Sequence, residues 1–412
     1  MEKNEAINKV DIVATLFLVA GTCIGGGMLG LPVGSCMAGF IPSTVMLLVC
    51  WFFMTISGLL ILEVNLWMKE GAHVITMASK MLGFPGKILA WILYLFIGYA
   101  SLVAYLSGGG SLIAGFIEHN TGFLFSEAQG CVIFILLFGS IIYFGSCVVG
   151  RVNTVLFTAM IIAYLFLVGL GGAEIQLDFL FRQNWRNSMM TVPLLLTAFS
   201  FQTLVPSLTP SLKRNVKWLR FSIIGGTTIA LLVYLIWQAI VLGAVPFDGE
   251  YSLKEAYIEG KPATSYLHHA VGNHWLSSIA EYFSFFALVT SFLGIALGLF
   301  DFLSDGLKVR KKGWGNFILG MLIALPSLFF AVSYSRAFLV AMEISGGFGD
   351  AILNGMMPVL MVWVGRYYRG MNSEKPVFGG KALLLMVFTF YLFVFVLEIF
   401  EQIRGLPIQS VD

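Results

Sequence analysis

Three consecutive glycines stand in the first long apolar stretch of the chain, within Ala20-Gly21-Thr22-Cys23-Ile24-Gly25-Gly26-Gly27-Met28-Leu29-Gly30-Leu31-Pro32. Five glycines between positions 21 and 30 make a poor helix interior, since each costs about 1 kcal/mol relative to alanine. The run starts about ten residues into the stretch, which places it near the middle of a membrane span at about 1.5 Å per residue. A helix broken there turns freed amides toward a carboxylate and freed carbonyls toward an ammonium group or a cation. An amino-acid zwitterion needs that pairing. Glycine also lets a ligand come close to the backbone. Close helix packing is the alternative, but packing motifs space their small residues apart. Gly25, Gly26 and Gly27 stand in a row.

A second polar interruption lies in Thr197-Ala198-Phe199-Ser200-Phe201-Gln202-Thr203-Leu204-Val205-Pro206-Ser207. Ser200, Gln202 and Thr203 fall at mid-span, and Pro206 frees backbone carbonyls. A buried Gln needs a partner, so an interhelical hydrogen bond explains Gln202 as well as a binding role does. Carboxylates inside apolar segments are functional candidates by default. Asp350 is the deepest, 14 residues beyond Arg336, or roughly 21 Å along a helix. It follows Gly346, Gly347 and Gly349. Glu63 lies six residues from Lys69 and is expected to snorkel to the surface. Asp301 is expected to pair with the cluster Lys308 to Lys312, and Glu281 and Glu343 fall nearer the opposite surface.

These residues sit in a chain of 412 residues that is 58% hydrophobic, 15% aromatic and only 11% charged. The mean hydropathy is +0.89. A soluble fold of this size cannot hide so much apolar surface. The composition excludes a soluble enzyme, a disordered chain and a nucleic-acid binder. It implies an all-α integral membrane protein embedded in lipid. The first apolar stretch is too long for a cleavable signal peptide. The five cysteines lie in or beside apolar segments and form no disulfide framework.

A span needs about 20 apolar residues. Segments poor in Asp, Glu, Lys and Arg supply eleven spans. The stretch Ile12–Leu62 holds two, with a turn near Gly39 and Pro42. The others are Ile88–Ile117, Ala128–Gly150, Val152–Ala173, Asn187–Leu212, Phe221–Phe247, Tyr282–Phe300, Gly313–Ser335, Ala337–Gly365 and Ala382–Leu397. His73–Leu82 reads as a surface helix, and residues 248–276 as a polar segment over one mouth of the protein. With the N-terminus inside, the inner segments carry 18 of the 24 Lys and Arg residues and the outer ones 6. That bias predicts a cytoplasmic N-terminus and an outside C-terminus. No linker divides the chain, so residues 1–412 form one domain. Spans 1–5 (12–173) and 6–10 (187–365) read as inverted repeats, with an extra helix over 381–401. Each half opens with an interrupted span, the pattern that points to a secondary-transporter site.

At the two interrupted segments, and at Thr290-Ser291-Phe292-Leu293-Gly294 running to Phe300-Asp301-Phe302, the sequence resembles the hydroxy/aromatic amino acid permeases, the tryptophan- and tyrosine-specific family. The resemblance covers nearly the whole chain. Gln202 departs from it, standing where a His is common. The resemblance implies a LeuT-like inverted repeat of five plus five helices and one more, with helices 1 and 6 broken. It also implies proton-coupled import of tyrosine or tryptophan across a bacterial inner membrane by alternating access. Thr22, Gly25, Gly26 and Gly27 would then hold the substrate's carboxylate and amine, and Ser200, Phe201 and Gln202 would complete the site. Phe201 is read either as facing the aromatic substrate or as ordinary packing.

For coupling, Ala287, Thr290 and Ser291 match the spacing of a sodium site in LeuT-like transporters. Hydroxyls bonding back to their own helix are the plainer reading. Asp350 is the proton-coupling candidate. Tyr94, Tyr99 and Tyr105 either line the pocket or face lipid. A serine/threonine-type or a sodium-coupled symporter is the alternative. No nucleophile-and-base arrangement marks an enzyme, and no cofactor is implied. His268, His269 and His274 suit a solvated loop better than a metal site. A channel fits opposed broken helices less well than a carrier does.

Overall fold

The computed structural model describes residues 8–270, 274–334, 336–373 and 375–404, and every regular element among them is helical. The first half comprises α1 (Lys9–Cys23), α2 (Gly27–Ser35), α3 (Phe40–Leu66), α4 (Val74–Thr121), α5 (Glu127–Tyr143), α6 (Ser146–Gly171) and the short α7 (Leu177–Phe181). The second half opens with α8 (Val192–Ala198), α9 (Val205–Ser211) and α10 (Val216–Ala244), followed by the short α11 (Leu253–Glu259) and α12 (Thr264–Ala270). Next come α13 (His274–Leu307), α14 (Trp314–Ser333) and α15 (Ala337–Ile344). A π-helical stretch, Ser345–Met356, leads into α16 (Met357–Trp363), a further π turn and α17 (Gly380–Arg404). The C-terminus and the side chains of His119, His268, His269, His274 and Arg404 lie outside the described residues.

Among the described residues, nine helical segments are long and apolar enough to cross a membrane, and the pair α1–α2 makes a tenth. The protein is a multi-pass membrane protein. The fourth of the eleven expected spans is α5, an apolar helix of 17 residues that is shorter than the rest. Its division from the next helix also differs from expectation. Arg151 seemed to separate Ala128–Gly150 from Val152–Ala173, but the chain turns at Gly145, whose φ is 91°, and α6 starts at Ser146. Arg151 therefore lies inside α6. A left-handed glycine ends one helix and starts the next, and the charge is incidental. In α4 the kink falls at Gly83 (φ 74°, ψ −160°), which sets residues 74–82 apart as their own helix.

Packing places polarity inside and hydrocarbon outside. α13 packs on α6 and α4, α1 packs on α10, and α17 packs on the π-helical stretch. On α14, Phe317, Leu325 and Phe329 are exposed, and on α17 Leu385, Phe393 and Phe400 are exposed. Lipid is the solvent that such faces require. Asp350, Asn354, Gln238 and Ser57 are all buried. In the segment 248–276 Lys261 pairs with Glu259 at 2.9 Å and with Glu127 at 3.2 Å, tying that segment to the start of α5. Asp301 pairs with Lys311 at 2.7 Å, within the basic cluster expected to receive it.

Glu63 does not snorkel. Its side chain is only 2% exposed and it holds Arg366 in a bidentate pair, Nε to Oε1 at 2.7 Å and Nη2 to Oε2 at 2.6 Å. Ser373 Oγ donates to Oε1 at 2.8 Å and the Val377 amide to Oε2 at 2.9 Å. The carboxylate thus locks the end of α3 to the chain beyond α16. A partner 303 positions away removes any need to reach water. Removing one member of such a pair strands a buried charge, at about 3–5 kcal/mol. Arg366→Ala should therefore lower the thermal-unfolding midpoint in detergent sharply, and Glu63→Leu/Arg366→Leu should lower it far less. Equal losses in the two variants would contradict a charge-stranding origin.

Candidate functional site

The first break occupies Ile24–Gly26. α1 and α2 meet there at a bend of 50°. The Ile24 amide still bonds to the Ala20 carbonyl, and the pattern resumes with the Met28 amide on Gly25 and the Leu29 amide on Gly26. Between them the helix ladder is interrupted. The Gly26 amide donates instead to Ser291 Oγ on α13 at 2.8 Å. A Cβ on Gly25 would stand 2.3 Å from that same Oγ. A Cβ on Gly26 would stand 2.7 Å from the Tyr105 ring of α4, and one on Gly27 would stand 3.6 Å from the Ala198 Cα of α8. At Gly25 and Gly26 the approach of α13 and α4 leaves no room for a Cβ, whereas at Gly27 one would make ordinary contact with α8.

The second break runs through Phe199, Ser200 and Phe201, after which a short 3-10 turn, Gln202–Leu204, leads into α9. Phe199 (φ −102°, ψ 22°) and Phe201 (φ −121°, ψ −6°) leave the helical region. Gln202 repairs the break locally. Its Oε1 accepts the Phe201 amide at 2.9 Å and its Nε2 donates to the Met54 carbonyl of α3 at 3.1 Å. The Phe201 ring is fully buried and packs on Gly58 of α3, where a Cβ would meet it at 2.4 Å.

One hydroxyl joins the two breaks. Tyr234 of α10 lies 2.5 Å from the Cys23 carbonyl and 2.6 Å from the Ala198 carbonyl, the last residues of α1 and α8. A phenol has one hydrogen to give, so two carbonyls freed by the breaks share a single donor. Phe199 packs edge-on against the Tyr234 ring, with centroids 5.0 Å apart. Trp237, one turn along, donates from Nε1 to the Met28 carbonyl at 2.9 Å.

The π-helical stretch brings the carboxylate to the second break. Ser200 Oγ donates to Asp350 Oδ1 at 2.5 Å. Asn354 Nδ2 donates to Asp350 Oδ1 at 2.6 Å and to Ser200 Oγ at 3.1 Å. Ser57 of α3 donates to the Asn354 carbonyl. π-Helical turns inside α-helices are concentrated at functional sites. Here the turn sets Asp350 and Asn354 on one inward face, with α8 and α3 on either side.

The expected site residues thus divide. Gly25, Gly26, Gly27 and Ser291 meet at the first break, and Ser200 and Asp350 meet at the second. Thr22 stands apart: it is exposed, and its Oγ1 donates to the Leu18 carbonyl of its own helix at 2.8 Å. Phe201 and Gln202 turn toward α3. Thr290 Oγ1 donates within α13, to Phe286 at 2.8 Å and Ala287 at 3.1 Å. Ala287 is fully buried. Of the three tyrosines on α4, Tyr105 covers the first break. Tyr94 stacks near Phe302 at 4.5 Å, and Tyr99 donates to the Leu322 carbonyl of α14 at 2.9 Å. A cavity of about 100 Å³ among Cys36, Arg182, Phe247 and Leu253 lies elsewhere, beyond the end of α2.

Sequence reading missed Tyr234, Asn354 and Ser57. Asn354 carried a legible signal, four residues after Asp350 and so on the same helical face. Tyr234 is one of 14 tyrosines and had none.

The clash at Gly25 is with a single hydroxyl, since the next nearest atom is Ser291 Cβ at 3.6 Å. Gly25→Ala should therefore destabilise the purified protein, and Gly25→Ala/Ser291→Ala should recover part of the loss in thermal-unfolding midpoint. A double variant no more stable than Gly25→Ala alone would mean that the approach of α13 is not what requires glycine.

The chain is 33% identical to the tyrosine-specific transport system 1 of Haemophilus influenzae, over 91% of this chain and 93% of that one. It is 30% identical to the tryptophan-specific transport protein of Pseudomonas aeruginosa, over 95% and 94%. It is 27% identical to the low affinity tryptophan permease of Escherichia coli, over 91% and 92%. These relatives are permeases, not enzymes. With residues 8–398 matching its pattern throughout, the chain belongs to the tryptophan/tyrosine permease family.

Proposed function

We propose that this protein imports an aromatic amino acid, tyrosine or tryptophan, across a bacterial inner membrane by proton symport. The observation that carries the reading is the Ser200–Asp350 hydrogen bond at 2.5 Å. It joins a break in the backbone, where a substrate is held, to the deepest intramembrane carboxylate, where a proton is held. The relatives named above are tyrosine- and tryptophan-specific transport proteins, and that supports the substrate class.

In this reading the substrate's carboxylate takes the Gly26 amide from Ser291. The hydroxyl stands where a carboxylate oxygen would accept. Its displacement frees α13 from α2 and couples binding to movement. The ammonium group faces carbonyls left by the breaks. The aromatic ring lies toward Tyr105, Leu288 and Met342, which surround the glycines. Asp350 carries the proton, and Ser200 reports its charge to the second break. The adjoining breaks support a LeuT-like inverted repeat, 12–173 against 187–365, with the helix at 381–401 outside the repeat. Alternating access then moves one half against the other around a shared centre. The Lys and Arg distribution supports a cytoplasmic N-terminus and an outside C-terminus. Sodium coupling at Ala287, Thr290 and Ser291 draws less support, because Thr290 is bonded within its own helix.

Proteoliposomes test this directly. An imposed inward pH gradient should drive accumulation of labelled tyrosine or tryptophan in the absence of sodium, and excess serine should not compete. Asp350→Asn should abolish accumulation while preserving exchange of labelled for unlabelled substrate. Accumulation that requires sodium, or block by serine, would overturn the assignment in favour of a sodium-coupled or serine/threonine-type symporter.

A further inference from the structure

Asp350 and Asn354 leave an unequal set of hydrogen-bonding groups. Asp350 Oδ1 accepts twice, from Ser200 Oγ and from Asn354 Nδ2. Asp350 Oδ2 is buried and has no partner, and neither has Asn354 Oδ1. Both residues are at least 99% buried. Two orphaned acceptors on side chains already in contact are costly, on the order of 1–3 kcal/mol each. Beside the charged carboxylate the amide cannot be turned over to relieve them. A turned amide would set its oxygen 2.6 Å from Asp350 Oδ1, oxygen against oxygen.

A carboxylic acid and a carboxamide can pair through two hydrogen bonds in a ring. The amide N–H donates to one carboxyl oxygen, and the acid O–H donates to the amide oxygen. The first half of that ring is present, as Asn354 Nδ2 on Asp350 Oδ1. The second half requires one hydrogen on Oδ2, and it satisfies both orphans together. We propose that Asp350 and Asn354 form an acid–amide pair, in which Asn354 positions the coupling proton on Asp350 Oδ2. This rests on the reading of Asp350 as the coupling carboxylate and assigns Asn354 a part in it.

Loading transfers a proton from hydronium to the carboxylate, leaving a carboxylic acid and a water molecule. Release to a water molecule on the other side reverses the step. In the charged form both orphan oxygens lack a donor. In the neutral form they are bonded. Asn354 thereby selects the oxygen of the loaded carboxyl that carries the hydrogen. It also passes the state on, since its carbonyl accepts from Ser57 of α3 and its Nδ2 donates to Ser200 at the second break. Other titratable groups near Asp350 are Tyr105 of α4 and Tyr391 of α17, both within electrostatic reach. Glu398 of α17 lies against Gly347, and Glu343 precedes the π-helical stretch on α15. α8 presents Thr197 and Ser200. α3 presents Ser57, with Glu63 six residues on already paired to Arg366.

The test is the pH profile of tyrosine uptake, together with the infrared carbonyl band of the protonated carboxyl. Asn354→Leu should displace the uptake midpoint by about one pH unit, a tenfold change in proton affinity. It should also raise the band frequency, because the acid carbonyl loses an N–H donor. Asn354→Asp places two carboxyls side by side and should displace the midpoint as well. Asp350→Asn should remove the band. If Asp350→Asn keeps both the band and pH-driven uptake, the coupling role of Asp350 fails. If Asp350→Asn loses both while the Asn354 variants leave midpoint and band unchanged, the acid–amide pair alone is overturned. A water molecule bridging the two oxygens would produce that second result.

Discussion

Hydrocarbon offers a backbone no hydrogen bonds. A helix can be broken inside a membrane only where protein takes over the groups set free. This constraint shapes the protein around Ile24–Gly26 and Phe199–Phe201. Tyr234 serves the carbonyl ends of α1 and α8 with one hydroxyl. Ser291 takes the Gly26 amide just before α2, and Gln202 takes the Phe201 amide. Each device comes from a different helix, so the breaks are held by α10, α13 and the second break itself. A substrate that supplied the same bonds would compete with these groups, and the helices carrying them would feel the exchange.

The same constraint sorts the buried carboxylates. Glu63 is fully served, with Arg366, Ser373 and the Val377 amide covering both its oxygens. It is a fixed charge that fastens one end of α3. Asp350 is served on one oxygen only. It has hydroxyl and amide neighbours and, among the described residues, no cation in contact. One oxygen of Asp350 thus lacks a donor, whereas both oxygens of Glu63 have one. The π-helical stretch makes this possible, because it faces Asp350 and Asn354 inward together.

Much of this was legible in sequence where one residue type dominates locally. Gly25-Gly26-Gly27 announces its break, and the long runs without charge mark the spans. Boundaries set by charge were less secure, as Arg151 shows by lying inside α6. Ser200 and Asp350 each stood out singly, yet their contact spans 150 positions and leaves no local trace. Phe201 and Gln202 were placed toward the substrate by analogy. A broken helix has no periodicity from which to read a facing direction, and both turn to α3. Glu63 looked like a snorkelling residue because its nearest lysine in sequence was close. Its true partner is 303 positions away.

In the proposed cycle substrate and proton travel together through the centre formed by the two breaks. The most direct measurement is the lumenal pH of proteoliposomes loaded with a pH-sensitive dye, with no gradient imposed and sodium absent. Adding tyrosine or tryptophan outside should acidify the lumen in step with uptake of the label, and Asp350→Asn vesicles should stay neutral. Uptake of the label with no lumenal acidification would contradict the account.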